Sequence, residues 1–368
     1  MKAKFAMVVL SAMLCAAVLA MGCAPDAQPT TPTTPTTPTT PTTPSQPSLE
    51  VFRLTAQTPF DVADPTYLSI ERAVKRAIAA SGGRLDIKLF AADALVPTSQ
   101  EHQSCDVGAL DIAFSPMGYL KERSNSAALI GTCVGLLTPV QFMGWMQWEG
   151  DDWIRLTMEQ TVPNAVYVTM PQIDPPEVFM HSAKPVKTLA DLRTLKMRAS
   201  GDGAEVLHRM GVSTVFFPSA EIYEAMQRGV IDAFESASIY INWGRNCQEI
   251  ADYMYISAAR QPTDNQTMSV NRNVWNKIGP DLQVLLHDVF LAEQWLWYQE
   301  NLYEEGTHLL KFVDYGVTVE VLADEIVDAF NAEAAVFHSE RAAEDSQYGE
   351  IMESMLTWQK ICVDQDVR

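Results

Sequence analysis

Between Leu195 and Glu235 the chain sets two short apolar runs, Leu195-Lys-Met-Arg-Ala-Ser and Gly211-Val-Ser-Thr-Val-Phe-Phe-Pro, on either side of a helical stretch. A second helix opens at Glu221 and leads into a third run, Gly229-Val-Ile-Asp-Ala-Phe-Glu. Strands separated by helices call for crossover connections, so this segment predicts an α/β domain with largely parallel pairing. Arg198 ends the first run, where strand gives way to helix. In open α/β sheets that position borders the ligand crevice, and a guanidinium there is a fork of donors that fits a carboxylate. A surface ion pair is the plainer reading of any lone arginine.

The same alternation runs through the rest of the chain. Val51 to Ala56 reads as a strand, Pro65 to Ala80 as a helix closed by Ser81-Gly-Gly, and Leu85 to Phe90 as a strand. A helix over Gln100–Val107 precedes a buried strand at Asp111-Ile-Ala-Phe, and Thr138 opens a helix rich in tryptophan. Strands are predicted at Ala165–Thr169 and Glu177–His181. From Pro280 onward the pattern is helical, with a long helix to about Phe312 and two more after Ala323 and Ser346. An internal echo, Gly108-Ala-Leu-Asp-Ile-Ala-Phe-Ser and Gly229-Val-Ile-Asp-Ala-Phe-Glu-Ser, points to equivalent strands in two lobes. Lobe I is expected over about 49–170 with parts of the C-terminal region, and lobe II over about 171–265.

The N-terminus bears on compartment. Lys2 and Lys4 precede an apolar run from Phe5 to Leu19, then Leu19-Ala-Met-Gly-Cys23. The run is short for a membrane span and reads as a secretory leader over residues 1–22, with cleavage before a lipidated Cys23. Plain secretion with a free Cys23 is the alternative. Residues 23–48 consist largely of Thr-Thr-Pro repeats. They have little apolar surface to bury and favour extended polyproline II, so about 25 such residues reach on the order of 75 Å. The expectation is a disordered tether holding a folded domain, residues 49–368, on the outer face of the membrane.

The formal net charge is −20. Nothing in such an acidic chain offers a footprint for nucleic acid. Of the six cysteines, Cys105, Cys133, Cys247 and Cys362 fall in the folded part without metal-ligand spacing; disulfides and buried free thiols are both open to them. The histidines at 102, 181, 208, 287, 308 and 338 form no His-Glu-x-x-His, and there is no nucleophile elbow, P-loop or Gly-x-Gly-x-x-Gly. An enzyme is therefore not expected, though a tethered secreted hydrolase is the contrasting class.

Gly82-Gly-Arg-Leu-Asp-Ile-Lys, Ala94-Leu-Val-Pro, and above all Pro185-Val-Lys-Thr-Leu-Ala-Asp-Leu-Arg-Thr-Leu-Lys-Met-Arg through Gly229-Val-Ile-Asp-Ala-Phe-Glu resemble the solute receptors of TRAP (tripartite ATP-independent periplasmic) transporters of the DctP type. The resemblance covers most of residues 50–360. It implies a two-lobed periplasmic-binding-protein fold with crossing strands and a long helix spanning both lobes. It also implies hinged closure on a small organic acid and delivery to membrane subunits driven by an ion gradient. The arginine of Leu-Lys-Met-Arg, here Arg198, pairs with a ligand carboxylate in that family, and Tyr119 falls where relatives place a ligand-contacting tyrosine. Relatives that bind an oxo-acid with a metal ion carry a glutamine before Gly-Gly-Trp, and a Glu-Trp pair after the Ile-Asp strand. The corresponding stretches here read Gln172-Ile-Asp-Pro-Pro-Glu-Val-Phe179 and Glu235-Ser236. Glu235 remains a candidate cation ligand, or a group that holds Arg198 or Arg260 in place. Arg260 is the second cationic candidate; Ser236, Glu177, Phe179, Asn242 and Trp243 complete the predicted pocket. A binding protein for an ATP-driven importer or a sensor system shares the same architecture.

Overall fold

The strands of the molecule, seen in a computed structural model that describes residues 50–365, divide into two sheets. In chain order they are β1 (Phe52–Gln57), β2 (Leu85–Phe90), β3 (Ile112–Ser115), β4 (Ala165–Asp174), β5 (Met180–Ser182), β6 (Lys196–Arg198), β7 (Ser213–Val215), β8 (Ala233–Phe234), β9 (Tyr253–Ile256), β10 (Asp264–Asn271) and β11 (Thr318–Val321). The first sheet has the order β2-β1-β3-β10-β4 and the second β11-β9-β5-β8-β6-β7. The leader, Cys23 and the Thr/Pro segment lie outside the described residues.

Local chemistry explains the elements. The helix Pro65–Ala80 starts at Asp64, whose side chain accepts the Thr66 amide at 2.8 Å, with proline at the first helical position. Its apolar residues Ile70, Ala73, Val74 and Ala77 recur at helical spacing and form one buried stripe against Leu54, Ile87, Phe114 and Val270 of the first sheet. The other face of that sheet is covered by Leu129, Phe142, Ile154 and, from the final helix Ser346–Asp364, Tyr348 and Ile351. The second sheet is covered on one face by the helices Gly201–Arg209 and Asp324–Glu344, and on the other by Ile222, Met226 and Phe312.

The chain passes between the sheets through residues 175–179, through 257–263, and along the helix Pro280–Tyr315. That helix has 36 residues, so it is about 54 Å long. In its first half the buried Glu293 binds Ser69, Arg72 and Arg76 of the first lobe; near its end Phe312 enters the core of the second. Of the nine strand pairings described, five are parallel. The four antiparallel ones all involve β5 or β10, and β5 and β10 are the strands that follow the two short crossings. Strand β11 and the helix after it lie on the second sheet, while the final helix covers the first.

The echoed segments occupy equivalent places. Gly108 and Gly229 each follow a helix with positive φ, 78° and 66°. Asp111 then accepts the Thr55 amide at 2.8 Å, and Asp232 the Lys196 amide at 3.1 Å, fixing β3 and β8 to the parallel strands β1 and β6. Cys105, Cys133, Cys247 and Cys362 are buried free thiols, which settles the alternative left open by spacing; burial pushes Cys105 and Cys247 up to about 12.

The helix Asn125–Thr132 rests on the turn Met117–Leu120 so closely that a Cβ on Gly131 would stand 2.2 Å from the Gly118 nitrogen. Backbone cannot yield as a side-chain tip can. Gly131→Ala should therefore cost at least about 2 kcal/mol of stability, read as a lower midpoint in urea denaturation.

Candidate functional site

The carboxyl ends of β3, β6 and β8 and the ends of β4 and β10 converge on one cavity of about 290 Å³. The first lobe contributes Thr66, Tyr119, Thr132 and Gln266; the second contributes Arg198, Ser200, Ser236 and Arg245; Asp174, Glu177, Gln261 and Asp264 come from the crossings and the strand ends beside them. The lobes meet at its rim, where Gly201 lies against Thr132.

Arg198 is 2% exposed. Its Nε donates to the Phe217 carbonyl at 2.9 Å, and Nη1 donates to the Glu235 carbonyl at 2.9 Å and to Glu235 Oε1 at 3.0 Å. Nη2 has no protein acceptor among the described residues. The parallel two-bond fork expected at this arginine is therefore not what remains for a ligand: Nε and Nη1 are consumed in orienting the group, and one nitrogen is left. Phe216 packs 5.6 Å from the guanidinium carbon and stacks edge-on with Tyr119. The Tyr119 hydroxyl has no described partner, and burial pushes it up to about 12, with Arg198 and Arg245 opposing. It remains a neutral donor at any physiological pH.

Behind Arg198 lies a buried ion cluster. Glu235 Oε1 also accepts from Ser200 at 2.9 Å, and Oε2 is 3.0 Å from Arg260 Nη1. Arg260 reaches the carboxylate of Glu177 through Nη2 and the Gln261 side chain through Nη1. Burial alone would raise the pKa of Glu235, but Arg260, Arg198 and Ser200 hold it below the ordinary glutamate value. Glu177 goes the other way, pushed well up by burial and by Glu235 against the pull of Arg260. Two permanent guanidinium charges thus face two glutamates in one connected cluster.

The predicted residues fall into three groups. Arg198, Tyr119, Glu177 and Ser236 line the cavity. Glu235 and Arg260 stand directly behind it, each less than 1% exposed. Phe179, Asn242 and Trp243 are elsewhere: Phe179 packs on Phe330 in the second core, Asn242 props the loop at Ala237, and Trp243 packs on Phe312. Both oxygens of Glu235, the candidate cation ligand, already face guanidinium groups. Among the described residues no set of three or more His, Cys, Asp or Glu side chains is placed to hold a metal ion. Sequence reasoning missed Arg245, whose Nε binds Asp64 at 2.8 Å and whose Nη1 binds Ser236 at 2.9 Å. It also missed Asp174 and Asp264, whose strand ends are polar and carry no apolar alternation.

Residues 60–345 match the DctP family, bacterial extracellular solute-binding protein, family 7. The chain is 24% identical to the monocarboxylate 2-oxoacid-binding periplasmic protein of Nostoc sp. over 310 residues, 84% of either chain. Its fold is similar to that of a TRAP transporter solute-binding protein from Bordetella bronchiseptica with calcium and picolinate. There the TM-score is 0.82, the identity 20%, and the match covers 86% of this chain and 94% of that one. It is likewise similar to a TRAP periplasmic solute-binding protein from Pseudoalteromonas atlantica with bound sodium and pyruvate: TM-score 0.81, identity 21%, coverage 86% and 96%.

Asp264, on the cavity wall, is pushed up to about 6 from 3.8, first by burial, with Glu235 adding to the rise. The folded state then keeps a proton that the unfolded chain releases, so stability falls as pH climbs from about 4 to about 6. Asp264→Asn removes that loss. Urea denaturation should show the variant up to about 3 kcal/mol more stable than the parent at pH 7.5, with the gap closing near pH 4; an equal gap at both pH values would count against it.

Proposed function

Because the chain belongs to the bacterial extracellular solute-binding proteins of family 7, we propose that it is the receptor of a TRAP transporter and captures a small organic acid by its carboxylate at Arg198. The observation that carries this is the arginine itself: a buried guanidinium, fixed by three bonds, with one nitrogen left for a ligand inside a cavity shared by both lobes. A carboxylate there meets Arg198 Nη2 and the Tyr119 hydroxyl, with the positive potential of Arg245 beside it. The two short crossings are the hinge, and closing the lobes over the acid excludes water and strengthens each of these contacts. The closed form is what the ion-gradient-driven membrane subunits receive. No reaction is assigned to the site. The sequence Leu19-Ala-Met-Gly-Cys23 supports anchoring by a lipid on Cys23, with the Thr/Pro segment as the tether.

Two structural neighbours hold calcium or sodium beside their acid. The residues here do not fit such an ion, because Arg260 already occupies the charge-balancing position against Glu235 and Glu177. Capture is therefore independent of added metal.

Arg198→Ala should weaken binding of the acid by about 2–5 kcal/mol in calorimetry, while circular dichroism shows the fold retained. Finding the ligand first is a matter of thermal-shift screening against organic acids, where one present at about 100 times its Kd adds about 2.7 kcal/mol of stability. For that ligand, a chelator in sodium-free buffer should leave the Kd unchanged; loss of binding restored by calcium or sodium would refute metal independence.

A further inference from the structure

We infer that the captured acid also carries a positively charged nitrogen, an ammonium or substituted ammonium group, which docks on Asp174 and Asp264 while the carboxylate meets Arg198. This rests on the reading of Arg198 above and supplies the other end of the ligand.

Asp174 ends β4 and Asp264 begins β10, and the two are direct partners across the antiparallel pair. Both line the cavity. Neither has an ion-pair partner among the described residues. Three buried carboxylates beside the crossings and the long helix do, Glu177 with Arg260, Glu235 with Arg198 and Arg260, and Glu293 with Arg72 and Arg76, whereas Glu101 and Asp202, away from these, have none among the described residues. Asp174 Oδ1 accepts from Trp297 Nε1 at 2.5 Å and Asn301 Nδ2 at 3.0 Å, and Asp264 Oδ1 from the Asn265 amide at 2.8 Å. One oxygen of each acid is left without a described donor.

A second observation points the same way independently. Gln266 alternates onto the same face of β10 as Asp264 and also lines the cavity. It is 1% exposed, yet its Oε1 has no hydrogen-bond partner. Thr66 Oγ1, on the same wall and equally buried, has none either. Unpaired buried acceptors are costly, and a donating ligand group in the cavity would satisfy these two. An ammonium has three donors and no acceptor, which suits a wall of carboxylate and amide oxygens and suits no carboxylate or ketone.

The electrostatics agree. Burial raises both acids first, with Asp264 adding to the rise at Asp174 and Glu235 to that at Asp264, and the charged groups around Asp264 are Asp174, Glu177, Glu235, Arg245 and Arg260. The two arginines there are already committed, Arg245 to Asp64 and Arg260 to the glutamates. A cationic ligand group lets both aspartates ionise together.

Matched acids with and without nitrogen test this by calorimetry on the purified protein at pH 7.5. The pairs are alanine and lactate, glutamate and 2-hydroxyglutarate, proline and tetrahydrofuran-2-carboxylate, and glycine betaine and 3,3-dimethylbutanoate. In at least one pair the nitrogen-bearing member should bind at least about tenfold tighter, and Asp264→Asn should bring that ratio below about threefold with the nitrogen-free acid little affected. If nitrogen-free acids bind as tightly as their partners throughout, or the ratio survives in Asp264→Asn, the inference fails and the reading of Arg198 stands. If they bind only with calcium or sodium added, the acidic pair holds a metal ion and the inference again fails. If no member of any pair binds, both fall.

Discussion

A carboxylate shut away from water sits between two guanidinium groups at the point where the two sheets come together. Removing either arginine from Glu235 would leave a buried charge short of its partner, so each member of the cluster holds the others in place. The cluster also reaches both short crossings. Glu177 lies on the first and Arg260 on the second, and the Glu177 amide donates to the Gln261 carbonyl at 3.1 Å. The contacts that orient Arg198 toward the cavity are thus continuous with those that join the crossings to each other. A donor fixed in this way does not have to reorganise when a carboxylate arrives, which is where much of the strength of a charged site originates.

Using arginine for charge balance has a further consequence. A guanidinium stays charged at any pH the protein meets, cannot be chelated, and presents its donors in one plane. A metal ion in the same role would be exchangeable and would use open coordination positions to touch the ligand directly. Arg260 is too deeply buried for that and spends its donors on Glu177, Gln261 and backbone carbonyls. Its link to the cavity is electrostatic and passes through Glu235 to Arg198.

Much of this was legible in the chain. The helix Pro65–Ala80 was readable to the residue, because its capping aspartate, its proline and its apolar stripe all agree. The long helix and the two that follow it were readable from periodicity, and Arg198 from its position at a strand end. Strand β11, inside the stretch read as helical, and the helix Asn125–Thr132 were not read, and neither was β10, whose first half, Asp-Asn-Gln-Thr, carries no apolar residue because its place between β3 and β4 buries polar side chains that bond locally or face the cavity; only Met268 and Val270 alternate into the core. With β10 went Asp264 and Gln266. Arg245 was missed for a related reason: only the fold brings Asp64, remote in sequence by 181 positions, to its guanidinium. Residues such as Phe179 and Trp243 sat at the right distance along the chain but turn into the core, where aromatic packing outweighs any role in the wall.

The two lobes give the cavity different chemistry. Arg198 and Arg245 come from the second lobe, so the charged donors lie on its side of the cleft, whereas the first lobe presents Tyr119, Gln266, Thr66 and the aspartates at the ends of β4 and β10. An anion alone is satisfied largely by one side and gains little from the approach of the other. A molecule bearing both charges is incomplete on either lobe and complete only between them. Ligand binding shifts a conformational equilibrium only as far as the ligand prefers one state over the other. If the ligand carries both charges as inferred, dividing its partners between the lobes is a direct physical way to make closure depend on it, since only a closed form would satisfy both of its ends.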